Sequence, residues 1–560
     1  MNTFPKHVAT FFFVLALLPL ALAQTIGSSN TASADPSVPH PNTTPCTVVL
    51  FSHYKFANFN PQSFSYTPPA DCPAPWSKVI LEANFSVTRG IQYDRTANIW
   101  LGANNIYFGT TSEPDPSDAR NWHVERDLTD YSSIFTVAQT GNVDLGNIYN
   151  KVYNGLLQGE AALYFYPLPA NQAAPVTADQ VIGFSSGAPG SAGTVSLDTT
   201  GQCCEPQLSE TLTFPTNIQS MYFDVFAQSQ ISDEFWYFCV PTALASELES
   251  CPNTAFRETE ITIDGTPAGV APVYPWIFTG GIDPFLWIPI PGVQTLNFKP
   301  YRVNLTPFAA MLDDGNPHTI TLSVVNADDW FSVTASLLLY LDHGSSTVTG
   351  AVTENTLSFG SPVIKENLQT SKSGTVYGTV NTSSTHNFQI AGYVNTSTGS
   401  ITTTVAQDIN FTNDQYFKVN ATTDEQNLKQ NTSIQSTVTT AGKAGRSVDT
   451  FTYSWPLTLN YDLVFNSNST ETQVTSINQY YERDEETRVN GQVEYFSVEQ
   501  NRVTPADTLF LNSSFEITGN ENQSSTQTYF GSDSTGYCYS RSLGAANNVL
   551  TSVTNGVGCN

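Results

Sequence analysis

From Trp76 to about Asp342 the chain alternates short apolar segments with Gly, Pro, Asp and Asn. Segments such as AALYFYP, MYFDVFAQS and VTASLLLYLD are rich in β-branched and aromatic residues and lack helical periodicity. This pattern predicts antiparallel β-strands. The Gly/Ala/Ser/Pro-rich segment Phe184–Thr194 is typical of a linker. We therefore predict two jelly-roll-like β-sandwiches, over 76–195 and 196–344, each of about eight strands.

Beyond about Gly344 the alternation continues, but the segment becomes rich in Thr, Ser and Asn. Seven of the eight tryptophans precede this boundary, whereas eight of the eleven N-x-[ST] sequons follow it. The eight are Asn381, Asn395, Asn410, Asn420, Asn431, Asn468, Asn512 and Asn522. Because glycans and a tryptophan-rich binding face seldom share a surface, we expect chemistry within 76–343. Residues 345–560 are predicted to form a glycosylated accessory β-domain, and the whole chain is predicted to be all-β.

The first 23 residues have the pattern of a secretory signal peptide. A basic start, an apolar run from Phe11 to Leu22 and the small-x-small triplet Ala21–Ala23 predict cleavage before Gln24. The apolar run is too short to span a membrane, and the C-terminal residues lack the hydrophobic tail of a lipid-anchor signal. We expect a secreted protein without a membrane anchor, in which 24–75 form a leader that contains the start of the fold.

The chain carries a formal charge of −28 and has a pI near 4.4. This charge argues against nucleic acid as a partner and fits a protein that works in acid. Eight cysteines behind a signal peptide predict disulfide bonds, and proximity favours Cys46–Cys72, Cys239–Cys251 and Cys538–Cys559. No spacing of Cys or His resembles a zinc site, so no metal is expected.

The segment IQYDRTANIWLG, Ile91–Gly102, is predicted to be a strand with one polar face. Alternation places Asp94, Asn98 and Trp100 together with Thr96 on that face. Arg95 points to the opposite side, so a simple surface ion pair between Asp94 and Arg95 is disfavoured within a regular strand. The competing interpretation is an ordinary turn or surface carboxylate.

The segment SDEFWYF combines Asp233 and Glu234 with the aromatic ring of Trp236 and its neighbours. Aromatic rings stack on the apolar faces of sugars, and apolar surroundings raise the pKa of a carboxyl group towards a useful range. The alternative is a strand end with solvated acids. In FRETEITIDG, Glu258 and Glu260 lie opposite the apolar positions, which makes Glu258 a reserve catalytic candidate or a solvated edge residue.

Two further segments are candidate parts of a site. The Pro/Gly-rich loop Tyr274–Ile290 supplies Trp276, Asp283 and Trp287 as candidate binding residues, although structural packing is the favoured single role of its aromatic residues. The sequence GFSSG, Gly183–Gly187, matches the G-x-S-x-G pattern of serine hydrolases. The residues after it, APGSAGT, cannot form the helix that this motif requires, so we exclude a serine nucleophile.

Several segments resemble the plant and fungal peptide:N-glycosidase A family. They include CPAPWSKVILEANFSV, QYDRTANIWLGANNIYFGTTSEP, DEFWYF and VYPWIFTGGIDPFLWIPI, and the likeness runs in order from about Cys46 to Asp342. These acid glycoamidases hydrolyse the bond between asparagine and an N-linked glycan. The resemblance therefore implies a secreted amidase that acts on N-glycopeptides or unfolded N-glycoproteins, without a metal or organic cofactor.

A second resemblance concerns the catalytic carboxylates. The bacterial peptide:N-glycosidase of two jelly rolls carries its essential aspartate in a Trp-Asp-Arg-Tyr-Ala-Asn-Val stretch, to which YDRTANI is similar. This implies that Asp94 is the catalytic aspartate. The bacterial glutamate lies in a Cys-Ala-Glu-Trp stretch, where this chain reads CPNTA and has no glutamate. The resemblance therefore leaves either Glu234 or Glu258 as the candidate for the second catalytic carboxylate.

The family reaction assigns expected roles to the candidate residues. Asp94 would orient or deprotonate water, Glu234 would assist the leaving nitrogen, and Arg95 and Asp233 would support them. The predicted substrate-binding residues are Arg95, Asn98, Trp100, Asp233, Trp236, Trp276, Asp283 and Trp287, of which the four indoles would be platforms for the chitobiose core. Two alternatives remain: an endo-acting glycosidase that cuts between sugars, and a non-catalytic glycan-binding wall protein.

Overall fold

The protein is described here by a computed structural model, which covers residues 24–114, 116–201, 204–467 and 469–559. The predicted signal peptide, 1–23, lies outside these residues. Among the helices of the described segments, none is long and apolar enough to cross a membrane. The predicted all-β class is confirmed, because antiparallel sheets make up the described fold and helices are short.

The first sandwich consists of two four-stranded antiparallel sheets, with strand orders β1-β8-β3-β6 and β2-β7-β4-β5. Apolar residues of both sheets, such as Leu81 and Phe85 on β3 and Ile99 on β4, share one buried core. The strands are β1 Cys46–Phe56, β2 Gln62–Tyr66, β3 Trp76–Val87, β4 Thr96–Leu101, β5 Asn104–Thr110, β6 Arg120–Asp127, β7 Gln139–Asp144 and β8 Leu157–Pro167.

The second sandwich pairs a five-stranded sheet with a four-stranded one. The first has the order β10-β17-β12-β15 with β9 also on β17, and the second has the order β11-β16-β13-β14. The strands are β9 Gln180–Phe184, β10 Val195–Leu197, β11 Leu208–Thr213, β12 Ile218–Gln230, β13 Glu258–Ile263, β14 Thr266–Pro272, β15 Tyr301–Asn304, β16 Pro317–Val324 and β17 Trp330–Leu341.

The loop Phe184–Thr194, predicted as a linker between the two sandwiches, lies within the second sandwich. It joins β9 to β10, and both strands pair with β17. The loop is thus part of the second sandwich rather than a boundary, because Gly and Ser also suit a tight connection within one sheet. The domain limits inferred from the sequence stay predictions.

Short helices occupy a few connections between strands. The 3-10 helices are Thr129–Thr136, Ile231–Phe238, Pro284–Trp287 and Thr306–Phe308, and the single α-helical turn of the described residues is Ala309–Leu312.

The C-terminal region forms a twelve-stranded antiparallel sheet. Its longest strands alternate buried and more exposed residues over about twenty positions, as expected for a sheet with one covered face. The strands are β18 Thr349–Asn355, β19 Val363–Thr370, β20 Val376–Thr396, β21 Gly399–Asn420, β22 Thr423–Gly442, β23 Gly445–Ser454, β24 Leu457–Phe465, β25 Glu471–Val489, β26 Gln492–Leu511, β27 Ile517–Asp533, β28 Cys538–Ala546 and β29 Val549–Asn555.

Buried glutamines on the covered face of this sheet bind the loops of the second sandwich. Gln415 donates to the carbonyl of Cys239 at 3.0 Å, and Gln479 donates to that of Pro275 at 2.8 Å. Further along, Gln523 donates to the carbonyl of Ile288 at 2.9 Å. Each such bond contributes about 0.5–1.5 kcal/mol and satisfies a carbonyl that has lost water. The sheet therefore packs directly against the loops that surround the candidate site.

A buried ion pair also joins the sheet to the second sandwich. His386 Nε2 on β20 lies 2.8 Å from Glu258 Oε1 on β13, and neither side chain is more than 5 % exposed. The hydrogen bond to Glu258 raises the pKa of His386, with further contributions from the charges of Glu258 and Glu260. Glu258, the predicted reserve catalyst, is therefore engaged in an interdomain contact.

The cysteines match the expected disulfide pairs only in part. Cys239–Cys251 and Cys538–Cys559 are bonded as predicted, and Cys204 is also disulfide-bonded. Cys46 and Cys72 are free thiols, so the predicted third bond is not formed in this structure. Burial, followed by the hydrogen bond to Cys72, raises the pKa of the Cys46 thiol to about 12.

Replacing His386 should weaken the protein chiefly in acid. His386→Ala leaves Glu258 buried without its partner, which should lower the free energy of unfolding by about 3–5 kcal/mol. Because the pKa of folded His386 is raised, the stabilisation is present below the ordinary histidine pKa and is lost as pH rises through the raised value. Chemical denaturation at acid and alkaline pH measures the difference.

A suitable control for that experiment is His343→Ala, since His343 is largely exposed and pairs with Asp179 at 3.1 Å. Such an exposed pair should contribute little at either pH. Equal destabilisation by His386→Ala in acid and in alkali would contradict the proposed role of the protonated imidazole.

Candidate active site

Three carboxyl groups converge where the two sandwiches meet. Asp94 precedes β4, Glu113 follows β5, and Glu234 lies in the 3-10 helix after β12. The loop at Gly280 passes between them: a Cβ atom there would lie 2.2 Å from Glu113 Oε2 and 2.5 Å from Asp94 Oδ1. At Gly281 it would lie 3.4 Å from Glu234 Oε1. These glycines therefore let the acids approach the backbone closely.

Asp94 lies at the entrance to a strand rather than within one. The sequence predicted a strand from Ile91, but β4 begins at Thr96. The backbone beside Asp94 is fixed by Thr111, because Arg95 N–H donates to the Thr111 hydroxyl at 2.9 Å and Thr111 N–H donates to the Arg95 carbonyl at 2.8 Å. An irregular segment held in this way leaves Asp94 half-buried at the edge of the site while most of β4 is fully buried.

Glu113 is a site residue that the sequence interpretation missed. Its backbone N–H donates to the Thr279 hydroxyl at 3.1 Å, and that hydroxyl donates to the Thr111 carbonyl at 2.8 Å. Thr279 thus joins the Glu113 segment to the Gly280 loop. The Glu113 Oε2 atom is buried and without a hydrogen-bond partner among the described residues. Within TTSEP, a single acid before Pro114 offered no alternation or aromatic neighbour as a signal.

Glu234 is positioned by its neighbour Asp233. Asp233 Oδ1 accepts hydrogen bonds from Arg257 Nε and Nη2 at 3.0 and 2.7 Å, and both side chains are fully buried. Asp233 Oδ2 accepts the backbone N–H groups of Asp328 and Asp329 at 2.8 and 2.9 Å. Both oxygens of Asp233 are therefore occupied inside the protein, which fits the predicted supporting role of Asp233 better than direct contact with substrate.

Burial makes all three carboxyl groups weaker acids. Desolvation raises the pKa of Asp94 to about 6, although a backbone hydrogen bond and the charge of Arg95 oppose the rise. The pKa of Glu113 rises to about 8 through burial and then through the Asp94 charge. The pKa of Glu234 also rises to about 8, for the same two reasons. At a pH between about 6 and about 8, the cluster therefore holds an ionised Asp94 and two protonated glutamic acids.

Arg95 lies beside the cluster and acts on it through its charge. Its Nη2 donates to Gln92 Oε1 at 3.1 Å, and its Nε donates to Asn147 Oδ1 at 3.4 Å. The guanidinium carbon also lies 6.0 Å from the centre of the Tyr93 ring. These contacts keep Arg95 half-buried at the rim of the site, where the sequence had predicted a supporting residue.

The predicted polar face of the Asp94 strand is mostly covered. Asn98 is buried and accepts a hydrogen bond from Asn105 at 2.9 Å, while Trp100 is fully buried. Thr96 accepts one from Gln230 on β12 at 3.1 Å. The second sandwich thus covers this face, so Asn98 and Trp100 cannot contact a ligand as predicted. Alternation shows which residues share a face but not what lies against it.

The other predicted sugar platforms are also in the core. The exposed fractions of Trp236, Trp276 and Trp287 are 1 %, 5 % and 3 %. Their contacts are internal, for example Trp287 Nε1 with the Gly281 carbonyl at 2.9 Å. Asp283 is buried too, and it caps the 3-10 helix Pro284–Trp287 by accepting the Phe285 N–H. These four residues therefore lie in the packed interior, and Trp287 supports the Gly280 loop directly.

Exposed aromatic rings do lie beside Asp94, but they are tyrosines. Tyr93 is 52 % and Tyr149 is 46 % exposed, and the Tyr93 ring lies 5.5 Å from that of Tyr153. The loop that carries Tyr149 and Tyr153 is tied to the Asp94 segment, because Gln92 Nε2 donates to the carbonyls of Ile148 and Gly155 at 2.9 and 3.0 Å. A partly exposed aromatic surface therefore adjoins the segment that carries Asp94.

Comparison with known proteins identifies relatives of this chain. A family model described as peptide N-acetyl-beta-D-glucosaminyl asparaginase amidase A matches residues 35–358. The Prunus dulcis protein peptide-N4-(N-acetyl-beta-glucosaminyl)asparagine amidase A is 31 % identical over 392 residues, covering 67 % of each chain.

Two solved structures share a low level of similarity. PNGase F, a glycosylasparaginase from Flavobacterium meningosepticum, is 12 % identical with a TM-score of 0.35 over 53 % of this chain and 96 % of its own. PNGF-II is 13 % identical with a TM-score of 0.35 over 53 % and 66 %. These values support no residue-by-residue comparison.

Proposed function

The chain belongs to the peptide N-acetyl-β-D-glucosaminyl asparaginase amidase A family of hydrolases, and we propose that it cleaves the amide bond between an asparagine side chain and the first N-acetylglucosamine of an N-glycan. The observation that supports this proposal most directly is the convergence of Asp94, Glu113 and Glu234 with unequal acidities. Amide hydrolysis needs a base for water and an acid for the leaving nitrogen, and this cluster offers both at one pH.

In the proposed mechanism Asp94 is the general base. Ionised Asp94 takes a proton from water as the water oxygen attacks the side-chain carbonyl carbon. Protonated Glu113 donates a hydrogen bond to the carbonyl oxygen as negative charge develops there. Glu234 then gives its proton to the nitrogen as the C–N bond breaks. The products are an aspartate on the peptide and a glycosylamine, and the proton held by Asp94 restores Glu234 through solvent.

The tyrosine surface is proposed to bind the substrate next to the reacting bond. The exposed rings of Tyr93 and Tyr149 and the half-buried ring of Tyr153 offer flat faces on which the chitobiose core can stack. The neighbouring side chains of Ile148 and Val152 are 39 % and 61 % exposed, and they offer an apolar surface to the peptide. In this proposal the tyrosines take the role that the sequence had assigned to tryptophans.

Secretion and glycosylation of the chain itself are further parts of the proposal. The sequon residues Asn395, Asn410 and Asn522 are exposed on the C-terminal sheet, away from the buried glutamine face. Glycans can attach there without disturbing the contacts to the second sandwich. Recovery of the protein from culture medium with glycan mass at these asparagines is the expected result, and intracellular retention of an unmodified chain would contradict it.

Asp94→Asn should reduce glycan release by about 10²–10⁴-fold while glycopeptide binding is retained, because the amide cannot accept the proton from water. Released peptide from the wild type should gain about 1 Da, since asparagine becomes aspartate. Asp144→Asn is a matched control, because Asp144 is a half-buried acid of the same sandwich whose pKa burial also raises.

The same assay separates the alternative functions. An endo-acting glycosidase would leave one sugar on the peptide, and a glycan-binding protein would release nothing in either form. If Asp94→Asn released glycan at the wild-type rate, Asp94 would not be the base.

The pH dependence of kcat/KM should be bell-shaped. The rate should rise as Asp94 ionises near its pKa of about 6 and fall as Glu113 and Glu234 lose their protons near about 8. The apparent pKa values obtained from the rising and falling parts of the profile belong to the whole cluster, because the three carboxyl groups interact. Initial rates on a defined glycopeptide across this range provide the measurement, and a rate that still increases above the second value would contradict the acid role of the glutamates.

A further inference from the structure

We propose that His40, Glu82 and Glu125 form a binding site for Zn²⁺ on the outer face of the first sandwich, and that His123, which lies against Glu125, serves as a fourth ligand. One donor atom from each of His40, Glu82 and Glu125 lies within 4.8 Å of the other two. Their strands β3 and β6 belong to the sheet opposite the one that carries Asp94. The site is therefore separate from the proposed catalytic carboxyl groups, and its role is structural.

Two acids of this group face each other across the sheet. Glu82 on β3 is directly opposite Glu125 on β6. Glu82 is 7 % exposed, and the Glu125 side chain is 8 % exposed. Like charges directly opposite in a sheet destabilise it, and poor access to water strengthens their repulsion. A cation held between the two carboxylates would remove this cost.

The histidines present the ring nitrogens that such a cation needs. His123 Nδ1 lies 2.8 Å from Asn84 Oδ1, an oxygen that can only accept, so the proton of a neutral imidazole is on Nδ1. The lone pair of His123 Nε2 then faces Glu125 Oε1 at 3.0 Å. Two lone pairs at this distance need a proton or a metal ion between them. Bonding of the second ring nitrogen to a fixed oxygen is the usual support of a metal-binding histidine.

His40 approaches Glu125 from the other side, where the Tyr166 hydroxyl can either donate to or accept from its second ring nitrogen. Its Nε2 lies 3.3 Å from Glu125 Oε2, and its Nδ1 lies 2.7 Å from the Tyr166 hydroxyl. Two imidazoles and two carboxylates are a ligand set that zinc accepts, with bonds of about 2.0–2.2 Å. The donor atoms of His40, Glu82 and Glu125, which lie within 4.8 Å of one another, need to move closer together to reach a common ion at such distances.

The location suggests what the metal does. His40 lies in the leader before β1, whereas the other ligands lie on β3 and β6. The leader is already attached to Glu125, because Val38 N–H donates to Glu125 Oε2 at 2.7 Å. A zinc ion would fasten the leader to the sandwich. Sequence spacing gave no sign of this site, because its ligands come from three distant segments.

The test measures Zn²⁺ binding to the full chain at about pH 7.5, where an ordinary imidazole is neutral. Equilibrium dialysis followed by elemental analysis gives the amount and affinity of bound zinc, and thermal unfolding with Zn²⁺ or with a chelator gives its effect on the folded protein. The variants are His40→Ala and the isosteric Glu82→Gln. His53→Ala is the matched control, since His53 is 88 % exposed and faces a single acid, Glu160, at 3.9 Å.

We expect the wild type and His53→Ala to bind about one zinc ion per chain and to unfold at a higher temperature with zinc than with chelator. His40→Ala and Glu82→Gln should each bind zinc at least about tenfold more weakly. Glu82→Gln also tests the proposal if His40→Ala fails to fold, because it keeps the shape of the side chain. Absence of zinc binding by the wild type, or equal binding by all four proteins, would overturn the proposal and leave protonated histidines as the bridging groups.

Discussion

The buried pair of Asp233 and Arg257 fixes one wall of the proposed active site. Two hydrogen bonds join the side chains, and Arg257 Nη1 also donates to the carbonyls of Thr254 and Phe256 at 2.8 and 3.0 Å. Breaking such a pair by removing one partner costs about 3–5 kcal/mol, because the remaining charge stays buried. The pair therefore holds the short helix that presents Glu234, and the disulfide Cys239–Cys251 joins the residues that follow this helix to the segment before β13.

Neither sandwich contains the proposed catalytic cluster by itself. Asp94 and Glu113 come from the first sandwich and Glu234 comes from the second. The contact between them is built from backbone bonds, such as Thr110 N–H to the Thr295 carbonyl at 2.9 Å, and from the Gly280 loop. Because the acids approach the backbone at Gly280, no side chain can be accommodated there. The site thus depends on a fixed joint between the sandwiches.

The sequence predicted the strands well because a period of two is a local signal. It also placed Asp94 and Glu234 in one site, through a family resemblance and aromatic neighbours. It could not predict Glu113, which has no distinctive neighbours, or the burial of Trp100, which depends on a second sandwich covering that face. The same limit applies to Asp233 and Glu258, whose partners Arg257 and His386 are visible only in three dimensions.

The titration of the buried groups relates the fold to an acid environment. Asp94, Glu113 and Glu234 have raised pKa values in the folded protein, so the stability they contribute is present in acid and is lost as pH rises through those values. The stability contributed by the His386–Glu258 pair is also present in acid and is lost as pH rises.

Protonation in acid also reduces repulsion within a chain of 49 acidic and 21 basic side chains. Catalysis opposes this trend, because Asp94 must be ionised to accept a proton from water. These four groups therefore favour the folded state on the acid side of the range in which the proposed base is active.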